Sequence, residues 1–399
     1  MANTTLTTDI VLKEGQRLFK NNTPFLQGMT RQYDGSYSVM GAETGSDMRI
    51  RKPMKYSVRT GKTVNVQDNI ENSVTLSKTI MKGVDLKFSS AELTQDISRF
   101  SELYIKPAIN VLASDIENDI MTRAVNATYN QVGTEGTNPS SASTILDAGA
   151  KLDDFSAYMN GDRSIVLNPF SMASTVDGLK GLFNNQVEVG KQYIKGQMGS
   201  ALGFDFASTA NVPSHTSGTS DGAYLVNGAS QTGSSLIVDT GSGTYTVGDV
   251  FTIAGVNAVN PTTKIDSGQL QQFVVTAAHA SGAGTISISP AITVTGSQQT
   301  VTASPANNAA ITEATGFVAG ATNRVSLAYD KMAYAFGTVD LDMPSALPSE
   351  ARAREVVDGI SMRLLNYYDG NNDDTIWRLD ILYGFVAVTP EWAVRIAAA

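Results

Sequence analysis

Cysteine is absent from the 399 residues, which excludes a disulfide framework, a thiolate nucleophile and any cysteine metal site. Histidine is nearly absent: His215 and His279 are the two copies. That is a poor donor set for a metallohydrolase, and both sit in Gly- and Ser-rich sequence where exposed loop histidines are the expectation. Charge is missing over a long stretch. Between Phe206 and Asn323, 118 residues, the charged side chains are Asp221, Asp239, Asp249, Lys264, Asp266 and Glu313. The same stretch never runs the eighteen apolar residues that a membrane-spanning helix needs. A basic segment followed by an apolar run is absent from the start, Met1 to Leu6, so synthesis inside a cell without a secretion signal is the expectation.

What is present is a chain longer than the roughly 250–300 residues at which single cores split, so two or more folded units are expected. Its 42% hydrophobic and 17% charged residues make it globular but lightly charged, as fits a surface largely covered by other protein chains. A net charge of -9 argues against a broad electrostatic nucleic-acid binder.

The first 45 residues are Asn, Thr and Gly rich and hold one weakly apolar helical stretch, Asp9 to Lys20, which reads as an arm needing a neighbour to order it. Apolar residues then alternate from Met48 to Val58, Thr60-Gly61 supplies a turn, and Val64 and Val66 resume the alternation, so a projecting hairpin is expected. Arg49, Arg51, Lys52, Lys55, Arg59 and Lys62 fall within its fourteen positions from 49 to 62, with no acid among them. A solvated strand face and a contact with an acidic patch on another subunit both account for them.

Val84, Leu86 and Phe88 alternate as a strand, and Ser89 with Glu92 has capping-box spacing for a helix start. Pro107 sits in the first turn of a longer helix, in which Leu112, Ile116, Ile120 and Ala124 recur every four positions while Asp115, Glu117, Asp119 and Arg123 take the outer faces. A second helix uses Ile145, Ala148, Leu152, Phe155 and Met159 and is expected to stop at Asn160-Gly161. Ser164 to Leu167 follows as a buried strand. Inside the charge-poor stretch, Ser235–Val238, Val250–Ile253, Gln272–Thr276, Thr285–Ser289 and Ile292–Val294 are short, β-branched segments bounded by Gly, Pro, Asn or Asp. They suggest a compact barrel or sandwich, with disorder as the alternative. Near the end, Ile360, Met362 and Leu364 alternate, Asp369 to Asp374 turns the chain, and Ile376 to Tyr383 runs back until Gly384 breaks the strand. A final apolar strand with Trp392, Val394 and Ile396 follows Pro390.

Catalytic motifs fail on context. Gly218-Thr-Ser220-Asp-Gly222 spells a nucleophile elbow but lacks the buried strand before it and the helix after it. Gly61-Lys62-Thr63 imitates the end of a phosphate loop, yet Tyr56 stands where the first glycine is required. Asp369, Asn371 and Asp373 imitate a calcium loop, but Asp374 replaces the turning glycine and Asp380 the bidentate glutamate.

The Gly190 to Gly199 segment, followed by Gly203-Phe-Asp-Phe-Ala-Ser-Thr-Ala-Asn-Val-Pro213, resembles the central segment of tailed-bacteriophage major capsid proteins. Arg378 to Gly384 with Pro390-Glu391 resembles their C-terminal strands, and Tyr245 to Pro261 is similar to the inserted barrel of the short-tailed phage branch. The resemblance implies an α+β chain with the capsid fold shared by tailed phages and herpesviruses and an inserted all-β barrel. It places the N-terminal arm at 1–44, the extended loop at 45–82, the peripheral domain with its spine helix at 83–160 and 351–381, the axial domain at 161–221, 323–350 and 382–399, and the inserted barrel at 222–322. The implied role is structural, with no catalysis and no cofactor: pentamers and hexamers of the chain enclosing double-stranded DNA in a virion, assembled in the host cytoplasm without a membrane. Because no long charged segment precedes the arm, a separate scaffolding protein is implied rather than a fused one, beside a portal protein and, as an option, a decoration protein. The expected intersubunit contacts are the six hairpin cations together with Asp239, Asp249, Lys264 and Asp266. A secreted, cell-surface adhesion protein is the alternative reading of the Thr-, Gly- and Ser-rich strands.

Overall fold

The computed structural model describes residues 8–34, 47–56, 58, 61, 62, 64, 66, 71–89, 104, 106–157, 162–179, 199–345, 347, 348 and 351–399. The expected helix start at Glu92, the Met159 to Gly161 stop, Arg59, Thr60 and Gly190 to Met198 lie outside them. The chain divides into two compact units, one of residues 1–50, 74–120 and 334–386, the other of residues 51–73, 121–333 and 387–399.

The first unit is built on a six-stranded sheet. Its order is Thr30–Asp34, Tyr334–Val339, Asp374–Ala387, Ile360–Asp369, Arg352–Val357, with Ile80–Ser89 also paired to Asp374–Ala387. The hairpin turns where its acidic tip predicts, with Asp369 opposite Asp374. Gly384, expected to end the return strand, instead lies within it. A Cβ there would come 2.3 Å from the Ser77 carbonyl oxygen, so glycine serves close backbone approach rather than termination.

The Thr8–Asn22 helix packs on this sheet with Leu12, Gln16 and Phe19 buried, so this helix finds a neighbour within its own chain. Its continuation buries Phe25, Leu26 and Met29. The expected long helix spans Lys106–Ala127, and Ile109, Leu112, Ile116 and Ile120 form its buried stripe. Asp115 faces outward as expected. Glu117 does not: it is fully buried, and its Oε1 accepts the Phe25 backbone N–H at 3.0 Å. A carboxylate on the apolar side is tolerated because it satisfies a buried backbone donor.

In the second unit a seven-stranded sheet runs Gln131–Val132, Ala393–Ala397, Thr322–Asp330, Arg163–Leu167, Phe204–Ser208, Ser200–Ala201, with Ser214–Thr216 also on Thr322–Asp330. The second helix, Ala142–Asp154, stops earlier than the Asn160-Gly161 signal. Ser156 takes the left-handed conformation (φ 57), and Ala157 N–H to Leu152 O (2.9 Å) with Ser156 N–H to Asp153 O (2.9 Å) closes the helix end. Trp392 belongs to a short 3-10 turn, Pro390–Trp392, ahead of the last strand.

Residues 225–313 supply a separate six-stranded sheet in the order Leu225–Val226, Gly233–Asp239, Gly284–Ile292, Asp266–Ala277, Val250–Val259, Ile311–Glu313. Its two edge strands meet. Leu225 bridges Ala310, Val226 N–H reaches Ala309 O at 3.0 Å, and Ile311 N–H reaches Tyr224 O at 3.1 Å, so the sheet closes into a barrel and leaves no open edge there. Period-two positions fill the interior: Leu236 and Val238, Phe251 and Ile253, Phe273 and Val275, Ile286 and Ile288. The chain enters through Ser214–Thr216 and leaves through Thr322–Asp330, which pair antiparallel (Ser214 with Arg324), so entry and exit form one two-stranded stalk.

Candidate assembly surface

The hairpin cations stand in three different situations. Asp47–Arg51 pairs with Ser73–Ser77, Lys52 N–H adds a bond to Asn72 O at 2.8 Å, and among the described residues the strand expected to reach Val58 stops at Arg51. Arg49 and Lys62 are exposed, as is Arg51, whose guanidinium lies 3.6 Å from Glu71. Both partners of that pair are solvated, which makes it worth about 0–1 kcal/mol. Lys55 differs: its Nζ is 2.7 Å from Glu391 Oε1, with both side chains mostly covered. Lys52 is half-buried, and burial pushes its ammonium below the usual lysine range, offset in part by Glu391. Around these cations the apolar members of the alternation from Met54 onward are bare. Met54, Tyr56, Val58, Val64 and Val66 are all exposed, Val58 at 95%.

The four barrel candidates also separate. Asp239 and Asp266 remain accessible, with Asp266 held below the usual carboxylate range by the Gly268 backbone N–H and by Asn257. Lys264 donates to the Ser297 carbonyl at 2.7 Å. Asp249 is buried. It is 3% exposed and accepts from Thr246 N (2.7 Å), Gly218 N (3.1 Å) and His215 Nε2 (2.9 Å), so its contacts are spent inside its own chain.

Those bonds fix the barrel on its stalk. His215 lies on the entry strand and Asp249 immediately precedes the Val250–Val259 strand, so the pair ties the two together. Next to it Gly248 has φ +99 and sends its carbonyl to the buried Arg395 guanidinium; a Cβ would meet Asn126 Oδ1 at 2.6 Å. Gln272 on the neighbouring barrel strand mimics a strand partner for Gln131, accepting its N–H at 2.8 Å and donating Nε2 to its carbonyl at 3.0 Å, while Lys151 Nζ reaches Gln272 Oε1 at 3.1 Å. An apolar patch backs this polar frame. Val250 and Val274, paired across the ladder and pointing out of the barrel, pack with Ala258 against Tyr129 and Phe155. Sequence reading missed this second face, although its signal was present: Phe273, Val274 and Val275 are consecutive apolar residues, which a strand with one wet face does not need.

The motif serine is likewise committed. Ser220 donates to the Glu313 carboxylate, which also accepts the Tyr245 hydroxyl at 2.8 Å, and burial pushes that phenol far above its usual range. Neither histidine is an exposed loop residue. His215 holds Asp249, and His279, 8% exposed, is 3.0 Å from the Gly282 carbonyl and edge-on to Tyr224. At the hairpin tip Asp369 accepts Asn371 N and Asn372 Nδ2, and Asp373 accepts the Tyr368 hydroxyl, the bonding of a polar turn. Among the described residues no three His, Asp or Glu side chains are grouped to hold a metal, and no helix is long and apolar enough to cross a membrane.

A family profile described as "P22 coat protein - gene protein 5" matches residues 1–396. No curated protein matches the chain in sequence. Similar solved structures include "Mycobacterium phage Che8" (14% identity, TM-score 0.47, covering 94% of this chain and 90% of that one). The "Capsid structure of the Cyanophage P-SCSP1u" has 10% identity, TM-score 0.47 and coverage of 94% and 88%. The "virus-like particle from Pyrococcus furiosus" has 9% identity, TM-score 0.43 and coverage of 97% and 96%.

Proposed function

The chain belongs to the P22 coat protein family, a structural protein of the phage capsid shell and not an enzyme, and from that premise we propose how the shell is made and what it holds. Copies close into pentamers and hexamers of an icosahedral shell around double-stranded DNA, guided in the host cytoplasm by a separate scaffolding protein, with a portal protein at one vertex. Repeated, individually modest interfaces hold such a shell together. The carrying observation is that the family profile runs through residues 1–396, so arm, extended loop, spine helix, barrel and C-terminal strands all fall within one coat-protein match.

In this reading the exposed Met54, Tyr56, Val58, Val64 and Val66 are covered by a neighbouring copy, with Arg49, Arg51 and Lys62 at the rim. Fully covering an aliphatic or aromatic side chain contributes about 1.5–3 kcal/mol, so five of them supply enough for an interface repeated many times per shell. The net charge of -9 suits a container, because a strongly cationic wall would grip the packaged phosphates through counterion release.

Expression of the chain with and without its scaffolding partner, followed by sedimentation and negative-stain microscopy, tests this. Closed shells of uniform size in the presence of scaffold, and capsomers or aberrant shells without it, are expected. Discrete monomers under both conditions would refute it.

A further inference from the structure

Past the bond from Lys52 N–H to Asn72 O, residues 53–56 and 58 join no strand ladder among the described residues. Lys55 is their polar tie to the rest of the chain: its Nζ lies 2.7 Å from Glu391 Oε1, and the two side chains are 28% and 20% exposed. The carboxylate end of this tie is fixed. Glu391 sits in the Pro390–Trp392 turn, whose Trp392 indole N–H donates to Phe155 O at 3.2 Å, while the Asn130 amide donates to Glu391 O at 3.2 Å and to Ala393 O at 3.3 Å. Segment and turn belong to the same compact unit.

Side chains along an extended chain alternate in direction, so the residues on either side of an inward one point away. Lys55 is partly covered, whereas Met54 and Tyr56 beside it are 38% and 55% exposed, with the Tyr56 hydroxyl 3.2 Å from Met54 Sδ. Val58 continues the bare face. This inverts ordinary burial, in which a lysine faces water and the apolar residues are covered. Apolar attraction to the subunit's own surface therefore does not hold the segment. The charge-assisted bond does, at a site where partial cover screens it less than a solvated pair.

We propose that Lys55 and Glu391 are a positioning pair for shell assembly: their ion pair turns Met54, Tyr56 and Val58 outward before a neighbouring copy arrives. The proposal rests on the reading of that face as the one a second copy covers. Association must otherwise order the segment, at a cost equivalent to about two- to tenfold in an equilibrium constant for each rotamer-rich side chain immobilised, and prior ordering removes part of it.

The test has two arms, both on the full-length chain. In the first, the absence of native cysteine lets nitroxide labels be placed at Val58→Cys and at Leu146→Cys, an exposed position on the Ala142–Asp154 helix of the same unit. Pulsed electron paramagnetic resonance then gives the distance distribution between them in unassembled protein. Glu391→Gln and Lys55→Gln should each broaden it, the double variant should broaden it no further than either alone, and Lys55→Arg should keep it narrow. In the second arm, unlabelled chains are mixed with scaffolding protein and shell formation is followed by light scattering. Glu391→Gln should slow it about two- to tenfold while the urea midpoint stays at the wild-type value, and Lys55→Arg should assemble at the wild-type rate. Unbroadened distributions, additive broadening in the double variant, or a loosened segment with unchanged or faster assembly overturns the positioning role alone. Wild-type chains that form no shells overturn the assembly reading, and the positioning role with it.

Discussion

Replacing Asp249 should destabilise the protein more than any other substitution among the charged groups of the barrel. Its carboxylate accepts three donors inside a site that is 3% exposed: Thr246 N at 2.7 Å, Gly218 N at 3.1 Å and His215 Nε2 at 2.9 Å. Asp249→Ala leaves all three without an acceptor. An unsatisfied buried donor costs about 1–3 kcal/mol, and water admitted to the space recovers part of it, so a loss of about 3–5 kcal/mol is expected. That is a large share of the roughly 5–15 kcal/mol that keeps a domain folded. Asp249→Asn discriminates further. Its oxygen can accept from the Thr246 and Gly218 N–H groups while its amide donates to Nε2 of a neutral His215, so Asn should recover most of the loss. Asp239→Ala, at an accessible carboxylate bonded to the adjacent Thr240 hydroxyl, should fall within about 0.5 kcal/mol of wild type. Urea unfolding of the soluble chain, monitored by circular dichroism and tryptophan fluorescence, measures all three. A loss below about 1 kcal/mol for Ala, or an Asn variant no more stable than Ala, would refute the view that this side chain pins the barrel to its entry strand.

Three further outcomes follow from the geometry. Asp330 is buried, its Oδ2 has no hydrogen-bond partner among the described residues, and burial lifts its carboxyl above the usual range despite the Met332 N–H and Arg163. A raised folded-state value means that the ionised form costs stability at neutral pH, and this cost disappears as pH falls through the raised value towards the ordinary one. Asp330→Asn should therefore raise the urea midpoint at neutral pH and flatten its pH dependence; a midpoint that falls would contradict this. Gln272→Ala removes the paired bonds to Gln131 and the Lys151 contact, for an expected loss of about 2–3 kcal/mol with hydrogen exchange rising first at Gln131; unchanged exchange there would count against the clasp. Changing Arg49, Arg51 and Lys62 together to Glu should leave the urea midpoint unaltered, since all three are exposed, while particle yield on co-expression with scaffold falls. Unchanged yield would remove these cations from the interface.

Much of the architecture was legible because periodicity is local. Four-residue spacing from Leu112 to Ala124 identified the long helix, and alternation in Ser235–Val238, Val250–Ile253 and Thr285–Ser289 identified strands that now line the barrel interior. The polar Asp369–Asp374 tip was read correctly as a turn for the same reason. Errors gathered where a residue answers to a distant partner. Gly384 looked like a strand end because the approach of Ser77, some three hundred positions away in sequence, leaves no local trace. Ser156 ended a helix that Asn160-Gly161 seemed fitted to end, because the left-handed position was taken by a residue without glycine's signature.

The amino-acid sequence by itself determined which residues share a face, where the charge-poor insertion lies and which family the chain joins, since these depend on composition and short-range spacing. Only the tertiary structure decided what each face meets. It closed the barrel through Leu225 and Ala310, turned Glu117 inward to a backbone donor, buried Asp249 under His215 and set Lys55 on Glu391. The physical reason is that a polar side chain's environment is set by the donors and acceptors that folding brings to it across long separations, and its neighbours in sequence do not specify them.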